Sequence, residues 1–356
     1  MGKVLMKGNE AIGEAAIRAG CLNYFAYPIT PQSEVAEYLS RRMPEVGGVF
    51  LQGESEVAVG YMIFGAGGAG ARVMTTSSSP GVSLMSEAIS YIAGAEVPAV
   101  FVNIMRGGPG LGGILPAQAD YFQATKGGGH GDYRMLVMAP ASVQEAVEMV
   151  MKAFPLAEKY RNPVMIMGDG LIGQMMEPVE FPDHLKTEPS NKDSWATNGM
   201  ETRKSSERNL VKSLFLDPEE LNDHNLKLKA KYDQMVREDI QYETYNMDSD
   251  YKALIVSYGT MSRVCRTAVD NFRDQGLEVG MLRPQTLFPF PLDAIREAAG
   301  KESCQAVFSI EMSMGQLVED VERSVQGQRP VHWYGKCGGD VPTPEEVMDV
   351  IRGVIV

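Results

Sequence analysis

The chain has 356 residues, 44% of them hydrophobic, which is enough apolar material to bury the cores of about two domains. A formal charge of −13 repels polyanions and excludes nucleic acid as the main partner. No stretch approaches the ~20 apolar residues of a membrane span, and Met1 to Lys7 lacks the apolar core and cleavage site of a leader, so a cytoplasmic protein without membrane contact is expected.

Apolar runs that read as buried strands occur at Tyr24 to Tyr27, Val49 to Gln52, Arg72 to Thr75, Ala99 to Ile104, Met135 to Met138 and Pro163 to Met167. Helical patterns lie among them at Glu10 to Arg18, Ser33 to Arg42, Ser55 to Phe64, Val82 to Ala93, Ala117 to Ala124 and Ser142 to Lys159. Strands alternating with helices predict crossover connections and a largely parallel sheet, so residues 1–180 are expected to form one α/β domain. From 181 to 250 the composition turns to Pro, Asn, Lys, Asp and Glu, with a charged helical stretch from Glu219 to Glu238; this predicts a linker or arm. A second alternating set has strands at Ala253 to Tyr258, Val279 to Arg283, Ala306 to Ile310 and Val331 to Tyr334. Its helices run from Met261 to Gln275, Leu292 to Ala299, Gly315 to Gln326 and Pro344 to Val354, which predicts a smaller α/β domain over 251–356.

Ligands of such sheets bind beyond the carboxyl ends of strands, where loops lead into helix N-termini. Pro28-Ile29-Thr30-Pro31, Thr75-Thr76-Ser77-Ser78-Ser79-Pro80-Gly81 and Met105-Arg106-Gly107-Gly108-Pro109-Gly110 have the composition for that role. Small residues let a ligand approach the backbone, Thr30, Ser77 and Ser78 offer hydroxyls, and Arg106 offers a bidentate grip on a carboxylate. Glu56 opens a helix whose neighbours Val57, Ala58, Val59, Met62 and Ile63 predict burial. A buried carboxylate needs a partner for its charge or proton. Ordinary explanations fit each residue singly: Thr30 and Ser77 to Ser79 as helix caps, Arg106 in a surface ion pair, Glu56 as a first-turn acid.

Gly168-Asp169-Gly170 resembles the start of the magnesium-diphosphate motif of thiamine enzymes, but the polar window from Ser190 to Asn198 has no Asn-Asn pair to complete it. Asp169 is expected to be a strand-end turn residue. The glycine clusters Gly65 to Gly70 and Gly127 to Gly131 lack the strand-to-helix context of a dinucleotide loop. Cys21, Cys265, Cys304 and Cys337 stand far apart, so neither an iron–sulfur cluster nor structural zinc is expected on this chain.

Taken together, Tyr27-Pro28-Ile29-Thr30-Pro31, Ser55-Glu56, Thr75 to Gly81, Arg106-Gly107-Gly108-Pro109 and Ala139-Pro140-Ala141-Ser142 resemble the α subunit of 2-oxoacid:ferredoxin oxidoreductases. Within that family they look like the VorB type, which acts on 3-methyl-2-oxobutanoate. Ser257-Tyr258-Gly259-Thr260, Leu282-Arg283-Pro284 and Glu311-Met312-Ser313-Met314-Gly315-Gln316 resemble the family's transketolase C-terminal-like domain, leaving only the charged stretch unmatched.

The resemblance implies an α/β protein: a thiamine-diphosphate pyrimidine-binding-type parallel-sheet domain plus the smaller transketolase C-terminal-like domain. It implies an enzyme, active only with partner subunits, that converts a 2-oxoacid to acyl-CoA and CO2 with electrons passed to ferredoxin. Thiamine diphosphate would be shared with a β subunit that holds the diphosphate and its Mg²⁺, in agreement with the missing Asn-Asn pair. Iron–sulfur clusters would lie on other subunits, in agreement with the scattered cysteines. Further implied partners are a γ subunit, a ferredoxin-like iron–sulfur subunit and ferredoxin, in a dimer of hetero-oligomers, with coenzyme A as co-substrate. By match of motifs Glu56 is the catalytic carboxyl at N1′ of the aminopyrimidine, Pro28, Ile29, Ser77 and Ser78 line the cofactor, and Thr30 and Arg106 hold the substrate carboxylate. Glu54 is the rival acid but lacks the match. Two other readings are a 2-oxoglutarate-specific α subunit, which needs a second cation, and a non-catalytic structural subunit. Arg72 begins a strand and Arg134 precedes one, both at the wrong edge for the site, which favours an apolar substrate.

Overall fold

The computed structural model describes residues 2–182, 192–199 and 208–355. The positions of the expected arm at 183–191 and 200–207 lie outside the described residues. In chain order the first part comprises β1 (Val4–Lys7), α1 (Gly8–Arg18), β2 (Asn23–Ala26), α2 (Ser33–Glu45), β3 (Val49–Gln52), α3 (Glu56–Gly68), β4 (Val73–Ser77) and α4 (Ser79–Gly94). It continues through β5 (Ala99–Met105), α5 (Tyr121–Thr125), β6 (Leu136–Met138), α6 (Val143–Tyr160), β7 (Pro163–Asp169), α7 (Gly170–Gln174) and β8 (Met176–Val179). The second part has α8 (Pro218–Glu238), β9 (Tyr242–Tyr245), β10 (Ala253–Val256), α9 (Gly259–Asp274), β11 (Val279–Pro284) and β12 (Thr286–Phe288). It ends with α10 (Leu292–Ala299), β13 (Ala306–Glu311), α11 (Leu317–Val325), β14 (Val331–Gly335) and α12 (Pro344–Ile355).

A seven-stranded sheet runs in the order β12-β6-β7-β5-β4-β2-β3, and a five-stranded sheet in the order β14-β13-β10-β11-β9. Every residue of β5 and β7 is buried, as continuous apolar runs covered by helices on both faces require. The core on one face gathers α1, α2 and α6, and that on the other gathers α3 and α4.

This order sets where a ligand can sit. β2 and β4 are parallel neighbours, yet the chain leaves β2 through α2 toward β3 and leaves β4 through α4 toward β5. The two exits lie on opposite faces, so a crevice opens between the carboxyl ends of β2 and β4. Pairing between them stops at Tyr24↔Met74, which lets the strand ends part. β10 and β13 repeat the arrangement in the second sheet, with α9 and α11 on opposite faces.

Some expectations shift. Only Tyr121–Thr125 of the predicted helix from Ala117 is helical, because Gln118 is held instead by β-edge groups of the second sheet: its backbone N–H donates to Met312 O at 2.8 Å. The ribbon of β1 with β8, the edge strand β9 and the short β12 are additional strands. β12 pairs with β6 in the first sheet although its neighbours in sequence build the second.

A further clamp joins the two units. The Arg283 side chain, 4% exposed, donates from Nη1 and Nη2 to both Glu145 oxygens on α6, at 2.8 and 2.6 Å, and from Nε to Glu243 on β9 at 2.9 Å. Burial pushes the Glu145 carboxyl up, but bonds from Arg283 and the Ala141 N–H outweigh it and hold it below the ordinary 4.5. A lowered carboxyl contributes stability above its unfolded value and loses it as pH falls through its folded value. Arg283→Met is expected to lower stability by about 2 kcal/mol near pH 7, after discounting for the partly exposed carboxylates. The gap in melting temperature between wild type and variant should narrow progressively as the pH is lowered below the ordinary 4.5. A gap that stays constant with pH would show that the clamp contributes nothing electrostatic.

Candidate active site

Glu56 is the first residue of α3. Ser55 caps the helix, its Oγ accepting from Ala58 N at 3.2 Å, and this fixes the direction in which the next side chain leaves. The Glu56 side chain is buried, with the residue 6% exposed, and its carboxylate makes no hydrogen bond or ion pair among the described residues. Opposite stands the first turn of α4. A Cβ at Gly81 would lie 2.7 Å from Glu56 Oε1 and 2.2 Å from Ser77 Oγ, so only glycine leaves room for the carboxylate there. Thr75 Oγ1, Ser77 Oγ and Ser78 Oγ are fully buried and have no hydrogen-bond partner among the described residues. Ser78 occupies the N-cap position of α4 but its side chain makes no capping bond, so the ordinary account of that hydroxyl fails. Buried polar atoms left unpaired are costly. A carboxylate and several hydroxyls in one crevice fit a ligand with ring nitrogens and exchangeable protons.

Arg106 follows β5 and is buried. Its Nη1 donates to Thr30 O at 3.0 Å and its Nη2 to Leu111 O at 3.1 Å, while Nε has no partner among the described residues. Among the described residues no carboxylate pairs with it, which removes the surface-ion-pair reading. Thr30 and Pro28 are exposed and Ile29 half-buried, on a loop pinned by Asn9 Nδ2 donating to Pro31 O at 2.7 Å. Tyr24, Thr76 and Gln32 fasten the base of the crevice: Tyr24 Oη lies 2.6 Å from Thr76 Oγ1, and Gln32 Nε2 donates to Tyr27 O at 3.1 Å.

The structure thus brings Thr30 and Arg106 into contact, and Glu56 against Ser77 and Gly81, all at one sheet edge. Glu54 is exposed, unlike Glu56. Val57, expected inside, is 42% exposed, because α3 is apolar on every side and only one side faces the core. Arg72 sits at the opposite edge, where it donates to Glu158 from Nη2 at 2.7 Å. Asp169 ends β7 and caps α7, accepting from Leu171 N at 2.9 Å and Ile172 N at 3.2 Å. Burial raises its carboxyl, and these bonds oppose the rise. Burial likewise pushes the Cys21 and Cys265 thiols up to about 12, which makes them unreactive. Among the described residues no three His, Cys, Asp or Glu gather as a metal cage, and no helix is long and apolar enough to cross a membrane.

One group was hidden from motif reading. Asn103, inside β5, accepts from Ser79 N at 3.0 Å through Oδ1 and donates to Asp120 Oδ2 at 2.8 Å through Nδ2. Ser79 Oγ donates to the same Asp120 oxygen at 2.6 Å and accepts from Arg106 N at 3.0 Å. Burial pushes the Asp120 carboxyl up, and the bonds from Ser79 and Asn103 partly offset it. An asparagine in an otherwise apolar strand was the available signal.

Comparison with known proteins adds independent support. Residues 14–244 match the family described as pyruvate flavodoxin/ferredoxin oxidoreductase, thiamine-diphosphate-binding, and residues 252–347 match pyruvate:ferredoxin oxidoreductase core domain II. The first match runs through most of the charged stretch that the motifs had left unmatched, where polar composition carries little local pattern. The chain is 48% identical to the ketoisovalerate oxidoreductase subunit VorB of Methanothermobacter thermautotrophicus, over 99% of this chain and 98% of that protein. It is 36% identical to the 2-oxoglutarate synthase subunit KorA of the same organism, over 97% of each. A 2-oxoglutarate:ferredoxin oxidoreductase from Magnetococcus marinus, solved with 2-oxoglutarate, coenzyme A and succinyl-CoA bound, superposes with a TM-score of 0.87 at 26% identity. That likeness covers 99% of this chain and 65% of the longer one. With sheet order, crevice and full-length relatives in agreement, this chain belongs to the 2-oxoacid:ferredoxin oxidoreductase family, as one of its subunits.

Proposed function

We propose that the chain supplies the aminopyrimidine side of a thiamine-diphosphate site in an enzyme that oxidatively decarboxylates a branched-chain 2-oxoacid. The products are the acyl-CoA and CO2, with electrons passed to ferredoxin. The observation that carries this reading is the buried Glu56 carboxylate, which has no hydrogen-bond or ion-pair partner among the described residues. Thiamine diphosphate, when bound, supplies a carbon nucleophile and an electron sink for decarboxylation. Glu56 would hold a proton shared with a ring nitrogen of the aminopyrimidine, and its neighbours Ser77 and Ser78 would complete that wall with Pro28 and Ile29. Arg106, with Nε still free and its other nitrogens anchored on Thr30 O and Leu111 O, would hold the 2-oxoacid carboxylate. Thr30 would orient the ketone beside it. A β subunit would hold the diphosphate and Mg²⁺, other subunits the iron–sulfur clusters, and a γ subunit would complete the assembly.

The placement of the cations supports a branched-chain substrate. A second carboxylate needs a second positive group, but Arg72 is spent on Glu158 and Arg134 precedes β6 at the far edge. The loop beyond Arg106 presents Leu111, Ile114 and Leu115 instead. The identity of 48% to a ketoisovalerate oxidoreductase subunit, against 36% to a 2-oxoglutarate synthase subunit, points the same way.

In the reconstituted complex, Glu56→Gln is expected to cut 2-oxoacid-dependent viologen reduction by about 100-fold or more. Gly81→Ala should do the same by displacing the carboxylate, and wild-type turnover in Glu56→Gln would remove Glu56 from the chemistry. In a substrate panel, kcat/KM for 2-oxoisovalerate should exceed that for 2-oxoglutarate by at least about tenfold; the reverse order would overturn the branched-chain assignment. Calorimetry on the isolated chain should register weak or no thiamine-diphosphate binding, and tight binding would contradict a site divided between subunits.

A further inference from the structure

The second sheet has its own crevice between β10 and β13, and the chain itself fills it. Gln118 is 1% exposed. Its Nε2 donates to Tyr258 O at 2.8 Å, its Oε1 accepts from Met312 N at 2.9 Å, and its backbone O accepts from Tyr258 Oη at 3.2 Å. Gly259, at a φ of +55° and with a Cβ position only 3.1 Å from Gln118 Nε2, gives that side chain its room. Contacts continue along the segment: Gln316 Nε2 donates to Ala119 O at 2.7 Å, Phe122 N donates to Gln316 Oε1 at 2.8 Å, and Tyr121 Oη donates to Asp320 at 2.5 Å.

Between these anchors lies Asp120, the residue whose carboxylate receives Ser79 Oγ and Asn103 Nδ2. Ser79 in turn receives the Arg106 backbone N–H. Ser79 also begins the helix whose Gly81 borders Glu56. One short segment therefore has its flanks locked to the second unit and its middle locked to the loop that aims Arg106.

We propose that Asp120 is a positioning residue for the 2-oxoacid site, holding the Arg106 loop and the start of α4 in register with the docked second unit. This rests on Arg106 gripping the substrate carboxylate. A loosened Arg106 weakens substrate binding, whereas loss of Glu56 stops the chemistry, so the two failures separate in the kinetics. In the assembled complex, Asp120→Ala is expected to raise KM for 2-oxoisovalerate about tenfold with a smaller fall in kcat. Asp120→Asn, whose amide oxygen accepts the same two hydrogen bonds, should restore most of the KM. Gln118→Ala should raise KM in the same direction, and it decides the matter alone if Asp120→Ala fails to assemble. An unchanged KM in Gln118→Ala and Asp120→Ala, or a fall in kcat alone, overturns the proposal. Full turnover in a Glu56→Gln control overturns instead the reading of the site on which it rests.

Discussion

A carboxylate in a crevice, with neither a cation nor a donor bonded to it among the described residues, is the constraint on which the rest of this structure turns. Desolvating Glu56 is unfavourable, and the fold meets that cost without relieving it. Ser55 sets the helix start, Gly81 withholds a side chain, and Thr75, Ser77 and Ser78 face inward with hydroxyls unspent. Stability alone would favour an apolar residue at 56 and a bonded hydroxyl at each serine. A set of unsatisfied groups gathered at one switch point is what a polar ligand requires of its binding wall.

Arg106 shows the complementary solution. Its guanidinium is not left loose: two backbone carbonyls, Thr30 O and Leu111 O, hold it without neutralising it. A carboxylate partner would have anchored it as firmly while cancelling its charge. Carbonyl anchors keep the cation available and give it a fixed orientation, which is the condition for gripping a small anion in one pose. The Ser79, Asn103 and Asp120 group extends the same principle to the backbone, aiming Arg106 by its own N–H.

How much of this the sequence discloses depends on range. Buried parallel strands such as Ala99–Met105 and Pro163–Asp169 announce themselves, because burial on both faces demands an unbroken apolar run. The motif loops disclose Thr30, Glu56 and Arg106 as candidates, since hydroxyls, glycines and a lone Arg at strand ends have few other uses in combination. Edge and ribbon strands stay silent: Val4 and Leu5 in β1 are 52% and 62% exposed, so no burial pattern marks them. β12 is silent for another reason, since its partner β6 lies far away in the chain. Ala117 to Asp120 misleads outright. Its helical pattern is genuine, but docking to the second unit claims its backbone, as the bond between Gln118 N and Met312 O shows.

The apolar surface around the crevice bears on the proposed division of the site between chains. Leu51 on β3, Val57 and Tyr61 on α3, Leu84 on α4 and Leu111 beyond β5 are all substantially exposed on elements that frame the crevice. Helices that are apolar on every side are stable only when covered on every side. A single chain enclosing a cofactor completely must open to admit it, and each opening exposes the buried carboxylate to water. Splitting the walls between two chains lets the cofactor enter before the crevice closes. The same contact that covers Val57 and Tyr61 would then close the crevice mouth over the already buried Glu56, so that enclosing the cofactor and assembling the complex become one event if the site is divided as proposed.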